Sequence, residues 1–103
     1  MSNKLETDFA REILKPRLEQ EFPGIVIIKQ DPNTSFQGVP DHLLLFEDKW
    51  ASLETKRTRK SKRRPNQEYY VDRFNDMSYA AFVSPENLDE VLDDLQSTFR
   101  PDR

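Results

Sequence analysis

Short apolar runs alternate along the chain with stretches whose apolar residues recur three and four positions apart. The runs predict four strands, at residues 25–28, 41–46, 51–56 and 79–83. The helical spacing predicts three helices, over residues 4–22, over residues 65–76 and from residue 84 onward. The resulting order, α-β-β-β-α-β-α, is typical of an α/β domain in which helices flank a mixed central sheet.

The first predicted helix carries its buried stripe near the N-terminus. The stripe consists of Leu5, Phe9, Ile13 and Leu14. Pro16 lacks an amide hydrogen, so it should kink this helix or end its first part. The pair Pro23-Gly24 should stop it.

The last predicted helix begins with Ser84-Pro85-Glu86, which supplies a cap, a proline in the first turn and an early acid. Its apolar stripe should be buried. The stripe consists of Leu88, Val91, Leu92, Leu95 and Phe99.

The second predicted strand is apolar on both of its faces. Leu43 and Leu45 point one way, whereas His42, Leu44 and Phe46 point the other. We therefore expect this strand to be covered on both sides. On this interpretation His42 is a core histidine or one that supports a site, rather than a catalytic group.

The second and third strands read as a hairpin with polar residues at its open end. In an antiparallel pair the start of one strand lies beside the end of the next. Asp41 should therefore meet Glu54 and Lys56. Because Glu54 and Lys56 are two positions apart, they should project from the same face.

These residues resemble a known signature. Pro40-Asp41, a gap and then Glu54-Thr55-Lys56 look like the motif of PD-(D/E)XK nucleases. Gly38-Val39-Pro40-Asp41 before an apolar strand, with Gln67 in the next helix, is most similar to the VRR-NUC and Holliday-junction-resolvase-like branch. Phage endonuclease I type nucleases are close in layout. The resemblance covers nearly the whole chain and implies a restriction-endonuclease-like core that hydrolyses DNA phosphodiester bonds.

Length and composition limit the chemistry available. The 103 residues suggest one domain, 1–103. The chain has no cysteine and one histidine, so any metal must be held mainly by oxygen, which favours Mg²⁺ with Mn²⁺ as a substitute. No long apolar run is present, so we expect no membrane span and a cytoplasmic location, in a bacterial host if the protein is phage-encoded.

Asp41 and Glu54 are the expected ligands of this metal, with the backbone carbonyl of Thr55 as a third. The alternative is that Asp41 is a turn residue after Pro40 and that Glu54 is an exposed charge at a strand end. We prefer the metal site because both acids occur together and in the order of the motif.

Further catalytic roles are expected for Lys56, Gln67 and Glu6. Lys56 would orient or deprotonate the attacking water, or stabilise charge on the phosphate. Gln67 shares the buried face of its helix, so its amide needs a partner such as Lys56, a metal-bound water or a phosphate. The alternative is that Gln67 only caps its own helix. In the resembled families an acid from the first helix often completes the site, and Glu6 borders the apolar face better than Glu12. The alternative for either residue is a solvated acid on the helix surface.

Positive charge is concentrated directly after Glu54-Thr55. Residues 56–64 hold seven of the 16 Lys and Arg, which leaves nine to face 19 acids elsewhere. Such a patch on an acidic chain is a footprint for a polyanion, although a solvated loop is the alternative. The predicted DNA-binding residues are Arg57, Arg59, Lys60, Lys62, Arg63 and Arg64.

The function expected from this sequence is that of a small metal-dependent DNA endonuclease. No separate sequence-reading element is visible, which favours structure-selective cutting of branched, flapped or junction DNA. Paired cuts need two active sites, so a homodimer is expected. The alternative is a catalytically silent module of the same fold that binds nucleic acid or protein.

Overall fold

One four-stranded mixed sheet organises the chain. The computed structural model describes residues 2–30 and 37–102, with the side chains of residues 2–5 outside the description. The strands are β1 (Val26–Lys29), β2 (His42–Phe46), β3 (Lys49–Thr55) and β4 (Ala80–Val83). They lie side by side in that order, with β1, β2 and β3 antiparallel to their neighbours and β4 parallel to β3. The predicted mixed sheet is confirmed. Pro32-Asn33-Thr34-Ser35 predicts a loop over Gln30–Gln37, and most of this loop lies outside the described residues.

The helices lie on both faces of this sheet. They are α1 (Ser2–Phe9), a π-helical turn (Ala10–Leu14), α2 (Lys15–Glu21), α3 (Pro65–Met77) and α4 (Leu88–Phe99). When α1, the π turn and α2 are counted as one continuous helix, the predicted order α-β-β-β-α-β-α is confirmed. That helix and α4 cover one face, and α3 packs against β3 and β4 on the other.

The dry core lies between α2, α4 and the sheet. Phe22, Phe46 and Phe99 meet there with ring centroids 5.2–5.5 Å apart. The predicted stripe of α4 is confirmed, since all five of its apolar side chains are buried. This packing supplies the rigid support on which the polar end of the sheet is held.

The π-helical turn corrects the sequence-based view of the first helix. The Lys15 amide donates to the carbonyl of Ala10, five residues earlier. A widened turn at this point accommodates Pro16, whose ring would otherwise crowd a carbonyl in the preceding turn. Pro16 therefore does not end the helix. The added residue turns Leu14 inward, whereas Ile13 is 45% exposed, so the predicted place of Ile13 in the buried stripe is wrong.

The second face of β2 is less covered than predicted. Leu43 and Leu45 are only half-buried. Their partners across the sheet are Ile28 and Val26, which are 41% and 50% exposed. Because α3 packs over β3 and β4, it leaves this part of the sheet partly open.

The start of the last helix also differs. Ser84 begins a turn rather than the helix, because its amide donates to the Asn87 side chain at 2.8 Å. The carboxylate of Glu86 accepts from the Arg59 amide at 2.6 Å, which ties this turn to the basic loop. The helix therefore begins at Leu88. Along the described part of the chain, no helix has the length and apolar character needed to cross a membrane.

Candidate functional site

Asp41 and Glu54 meet where β2 begins and β3 ends. The Asp41 amide donates to Glu54 Oε1 at 3.1 Å. In return the Thr55 amide donates to Asp41 Oδ1 at 3.0 Å, and the Thr55 hydroxyl donates to Asp41 Oδ2. The two strand ends are thus locked together through their acids. This is the juxtaposition predicted from antiparallel pairing.

Glu54 is buried in a setting that disfavours its charge. It is 7% exposed. Burial is the main cause that raises the pKa of Glu54 to about 8, and the nearby Asp41 carboxylate raises it further, whereas Lys56 acts in the opposite direction. Glu6 contributes a smaller rise. A cation placed between the acids would offset both the burial and the repulsion.

Gln67 joins the second acid to the lysine. Its Nε2 donates to Glu54 Oε2 at 3.2 Å, and its Oε1 accepts from Lys56 Nζ at 2.9 Å and from the Arg64 amide at 3.1 Å. Because two donors occupy Oε1, the Nε2 group must face Glu54. Gln67 thus has the Lys56 partner that its inward position predicts, and it also caps α3 through the Arg64 amide, which is the alternative role.

Lys56 is held by the backbone of the basic loop as well as by Gln67. It is 9% exposed, and its Nζ donates to the carbonyl of Lys62 at 3.1 Å. The loop therefore folds back over the lysine. Lys56 and Glu54 both contact Gln67, in agreement with the prediction that they share a face.

A close approach fixes the segment that precedes Asp41. Gly38 has φ of +93°, and a Cβ atom there would lie 2.8 Å from the backbone carbon of Asn66. The Asn66 side chain donates to the carbonyl of Gln37 at 3.1 Å. The start of α3 is thereby fastened to the loop that carries Asp41, which explains the glycine three residues before the acid.

His42 supports the first acid from the core face of the sheet. It is 8% exposed, and its Nδ1 lies 2.8 Å from Asp41 Oδ1. Sequence reasoning left open a core or a supporting role, and the structure combines the two.

These groups line one cleft of about 780 Å³. Glu6 lines it too, whereas Glu12 is exposed and pairs with Arg11. Among the described residues, no three acidic or histidine side chains converge on a common point. A metal here would therefore depend on Asp41 and Glu54, with remaining positions filled by a carbonyl such as that of Thr55 and by water.

The six predicted DNA-binding cations divide into two groups. Arg57, Lys62 and Arg64 line the cleft. The others are Arg59, which pairs with Glu90 at 3.3 Å, Arg63, which lies 4.1 Å above the Phe82 ring, and the exposed Lys60. Lys29 also lines the cleft and was not singled out in the sequence, because it stands alone in an apolar strand.

Comparison of the chain with models of protein families, with curated proteins and with solved structures found no match. The function of this chain is therefore inferred from the geometry of the cleft and from the motif that its residues resemble.

Proposed function

We propose that this protein is a Mg²⁺-dependent endonuclease that hydrolyses phosphodiester bonds in DNA. The observation that carries the proposal is the interlocked pair of Asp41 and Glu54, joined through Gln67 to a buried Lys56, in a cleft lined by further cations. Two acids and a lysine at the adjoining ends of the two central strands are residue types that suit metal-assisted phosphodiester hydrolysis.

The donor set fits a hard divalent cation. Asp41 and Glu54 offer carboxylate oxygens, and a bound cation would offset the burial and the Asp41 repulsion that raise the pKa of Glu54. Mn²⁺ should substitute for Mg²⁺ because both accept oxygen ligands. When bound, the ion would supply positive charge that polarises the scissile phosphate and activates water.

The remaining residues hold and orient the substrate. Lys56 presents its ammonium group from a fixed position, since Gln67 and the Lys62 carbonyl both bind it. It can orient the attacking water or stabilise charge on the phosphate. The cleft-lining cations Arg57, Lys62 and Arg64 would bind neighbouring phosphates of the strand.

We also propose a class of DNA substrate and an assembly state. The described cleft contains no element that reads base edges in a duplex, so we propose selectivity for DNA structure, namely branches, flaps or junctions. A homodimer would supply the second active site that paired cuts require.

One observation favours a catalytically silent binding module instead. Asp41 Oδ1 already lies within hydrogen-bonding distance of the Thr55 amide and His42 Nδ1, as in an acid that only ties strands together. The endonuclease proposal ranks above this alternative because a structural role for Asp41 does not account for a buried Glu54 and Lys56 at its side.

The deciding experiment uses linear, flapped and four-way DNA, each incubated with Mg²⁺, with Mn²⁺ or with EDTA. Binding is measured in parallel in Ca²⁺. The proposal predicts cuts that need Mg²⁺ or Mn²⁺ and that are most frequent on the branched substrates. Binding without any metal-dependent cut would favour the silent module.

A further inference from the structure

A second, smaller cleft lies beside the candidate site. Its volume is about 270 Å³, just below the range of about 300–1,000 Å³ that is usual for small-ligand sites. Its apolar lining consists of Ala10, Leu14, Leu18 and Ile27. Its basic lining consists of Arg11, Lys15 and Lys29. The π-helical turn contributes Ala10 and Leu14, so the turn that accommodates Pro16 also shapes this lining.

The two clefts adjoin each other. Thr7, Ala10, Lys29 and His42 line both. His42 Nδ1 lies 2.8 Å from Asp41 Oδ1. The second cleft therefore begins one side chain away from the acid expected to hold the metal, on the side opposite the basic loop.

The charges around the second cleft favour an anionic ligand with an apolar part. Lys15 and Lys29 are exposed, and neither forms an ion pair within the described ranges 2–30 and 37–102. Arg11 is already paired with Asp8 and Glu12. A nucleotide has the complementary chemistry, since its base packs on apolar or guanidinium surfaces and its phosphate binds lysine.

We propose that the second cleft accepts one unpaired nucleobase of the DNA strand being cut, with the phosphates beside that base held by Lys29 and Lys15. This inference rests on the proposed nuclease function and narrows it. The preferred substrates would carry unpaired nucleotides next to the cut, as flaps and overhangs do. A fully paired duplex could not fill the cleft without extruding a base, which costs unpairing energy.

The test uses overhang substrates in which a single abasic residue is placed at successive positions relative to the mapped cut. Binding is measured in Ca²⁺. Loss of the base that occupies the cleft should weaken binding by about tenfold, within the range for one packed base. The same change at other positions should have little effect.

Two matched variants locate this effect. Ile27→Phe fills the cleft, whereas Ile28→Phe makes the same change on the opposite face of β1. The abasic penalty should disappear in Ile27→Phe and remain in Ile28→Phe. Lys15→Gln gives a second test should Ile27→Phe fail to fold. It changes an exposed residue and should weaken overhang binding about fivefold while sparing blunt duplex, as expected for one lost phosphate contact.

The outcomes separate this inference from the function on which it rests. Metal-dependent cutting that requires Glu54, combined with indifference to every abasic position, would overturn the base-binding cleft alone. Absence of any Glu54-dependent cutting would overturn both. Two results would show that the base binds elsewhere. One is an abasic penalty that remains in Ile27→Phe, and the other is an equal loss of affinity for overhang and blunt duplex DNA in Lys15→Gln.

Discussion

At the end of β3 the chain passes from the hydrophobic core into the candidate site, and its side chains stay buried. Ala51 and Leu53 are 0% exposed, and Glu54 and Lys56 are 7% and 9% exposed. The first pair packs among leucine and phenylalanine side chains. The second pair is surrounded by hydrogen-bonding groups from Asp41 and Gln67. Side chains buried to a similar degree over residues 51–56 thus form the apolar core in one pair and a polar cluster in the other.

The difference lies in what burial does to stability. Burying Leu53 removes apolar surface from water, which favours folding. Burying Glu54 removes a charge from water, which opposes folding unless partners compensate. Within the described residues every fully buried polar side-chain atom has a partner. A buried carboxyl group whose ionisation is opposed in this way is typical of functional sites.

The largest effect should come from breaking the acid pair. Asp41→Asn and Glu54→Gln should each lower cleavage about a thousandfold or more, because the metal loses an anionic ligand worth several kcal/mol in the transition state. Single-turnover cleavage at saturating Mg²⁺ measures this loss, and circular dichroism checks the fold. Near-normal turnover in either variant would show that the substituted acid is not a metal ligand.

Lys56→Ala should spare metal binding and lower the cleavage rate by about a hundredfold, the usual effect of removing one transition-state donor. The loss should appear in kcat more than in substrate affinity. Lys60→Ala is the matched control, since Lys60 is exposed in the same loop. Parent-like rates in Lys56→Ala would make Lys56 another member of the basic patch.

Much of this region could be predicted from sequence because its contacts are local in the hairpin. Antiparallel pairing alone brings Asp41 beside Glu54. Helical periodicity turns Gln67 inward, where Lys56 is its nearest donor. Neither inference requires knowledge of how distant segments pack.

Sequence patterns are least informative where tertiary packing decides. Ile13 is predicted to be buried, but the π-helical turn displaces it, and such a turn leaves no periodic signal. Arg59 and Arg63 remain predicted DNA contacts, but the sequence does not indicate that they also contact Glu90 and Phe82. Those partners are about twenty to thirty residues further along the chain, so no local pattern indicates them.

That division of cations sharpens the DNA-binding prediction. Changing Arg57, Lys62 and Arg64 to Gln should flatten the log–log salt dependence of DNA affinity by roughly two to three units, at about 0.9 per lost phosphate contact. Changing Arg59, Lys60 and Arg63 to Gln alters net charge equally and should flatten it less. Salt titrations in Ca²⁺ measure both. Equal slopes for the two triple variants would mean that cations lining the cleft contact DNA phosphates no more often than the other cations of the loop.

In the hydrophobic core, Leu53→Ala should lower the free energy of unfolding by about 3 kcal/mol, the usual cost of a cavity at a fully buried leucine. The cleavage rate of the folded fraction should stay near that of the parent, because Leu53 faces away from Gln67. Urea unfolding measures the stability. A turnover loss as large as that of Lys56→Ala would show that the core and the site are not separable.

The smallest expected effect is a gain rather than a loss, namely higher stability of Glu54→Gln than of the parent when no metal is bound. The folded-state pKa of Glu54 is raised from 4.5 to about 8, so the folded protein binds more protons than the unfolded chain between these values, and parent stability should fall as pH rises through this window. Glu54→Gln removes the charge but loses one hydrogen bond at every pH. Without metal the variant should therefore become more stable relative to the parent as pH rises from 5 to 9. At pH 9 its advantage should be on the order of 2 kcal/mol, because the pKa shift is worth at most about 4 to 5 kcal/mol at 1.36 kcal/mol per unit and the lost hydrogen bond offsets part of this. Glu68→Gln, which changes an exposed acid on α3, should show no such gain.

Added Mg²⁺ should reverse the stability ranking of Glu54→Gln and the parent, because it should stabilise the parent alone. A Glu54→Gln advantage that is absent at pH 9, or that persists in saturating Mg²⁺, would mean that the buried carboxylate is not kept for a cation.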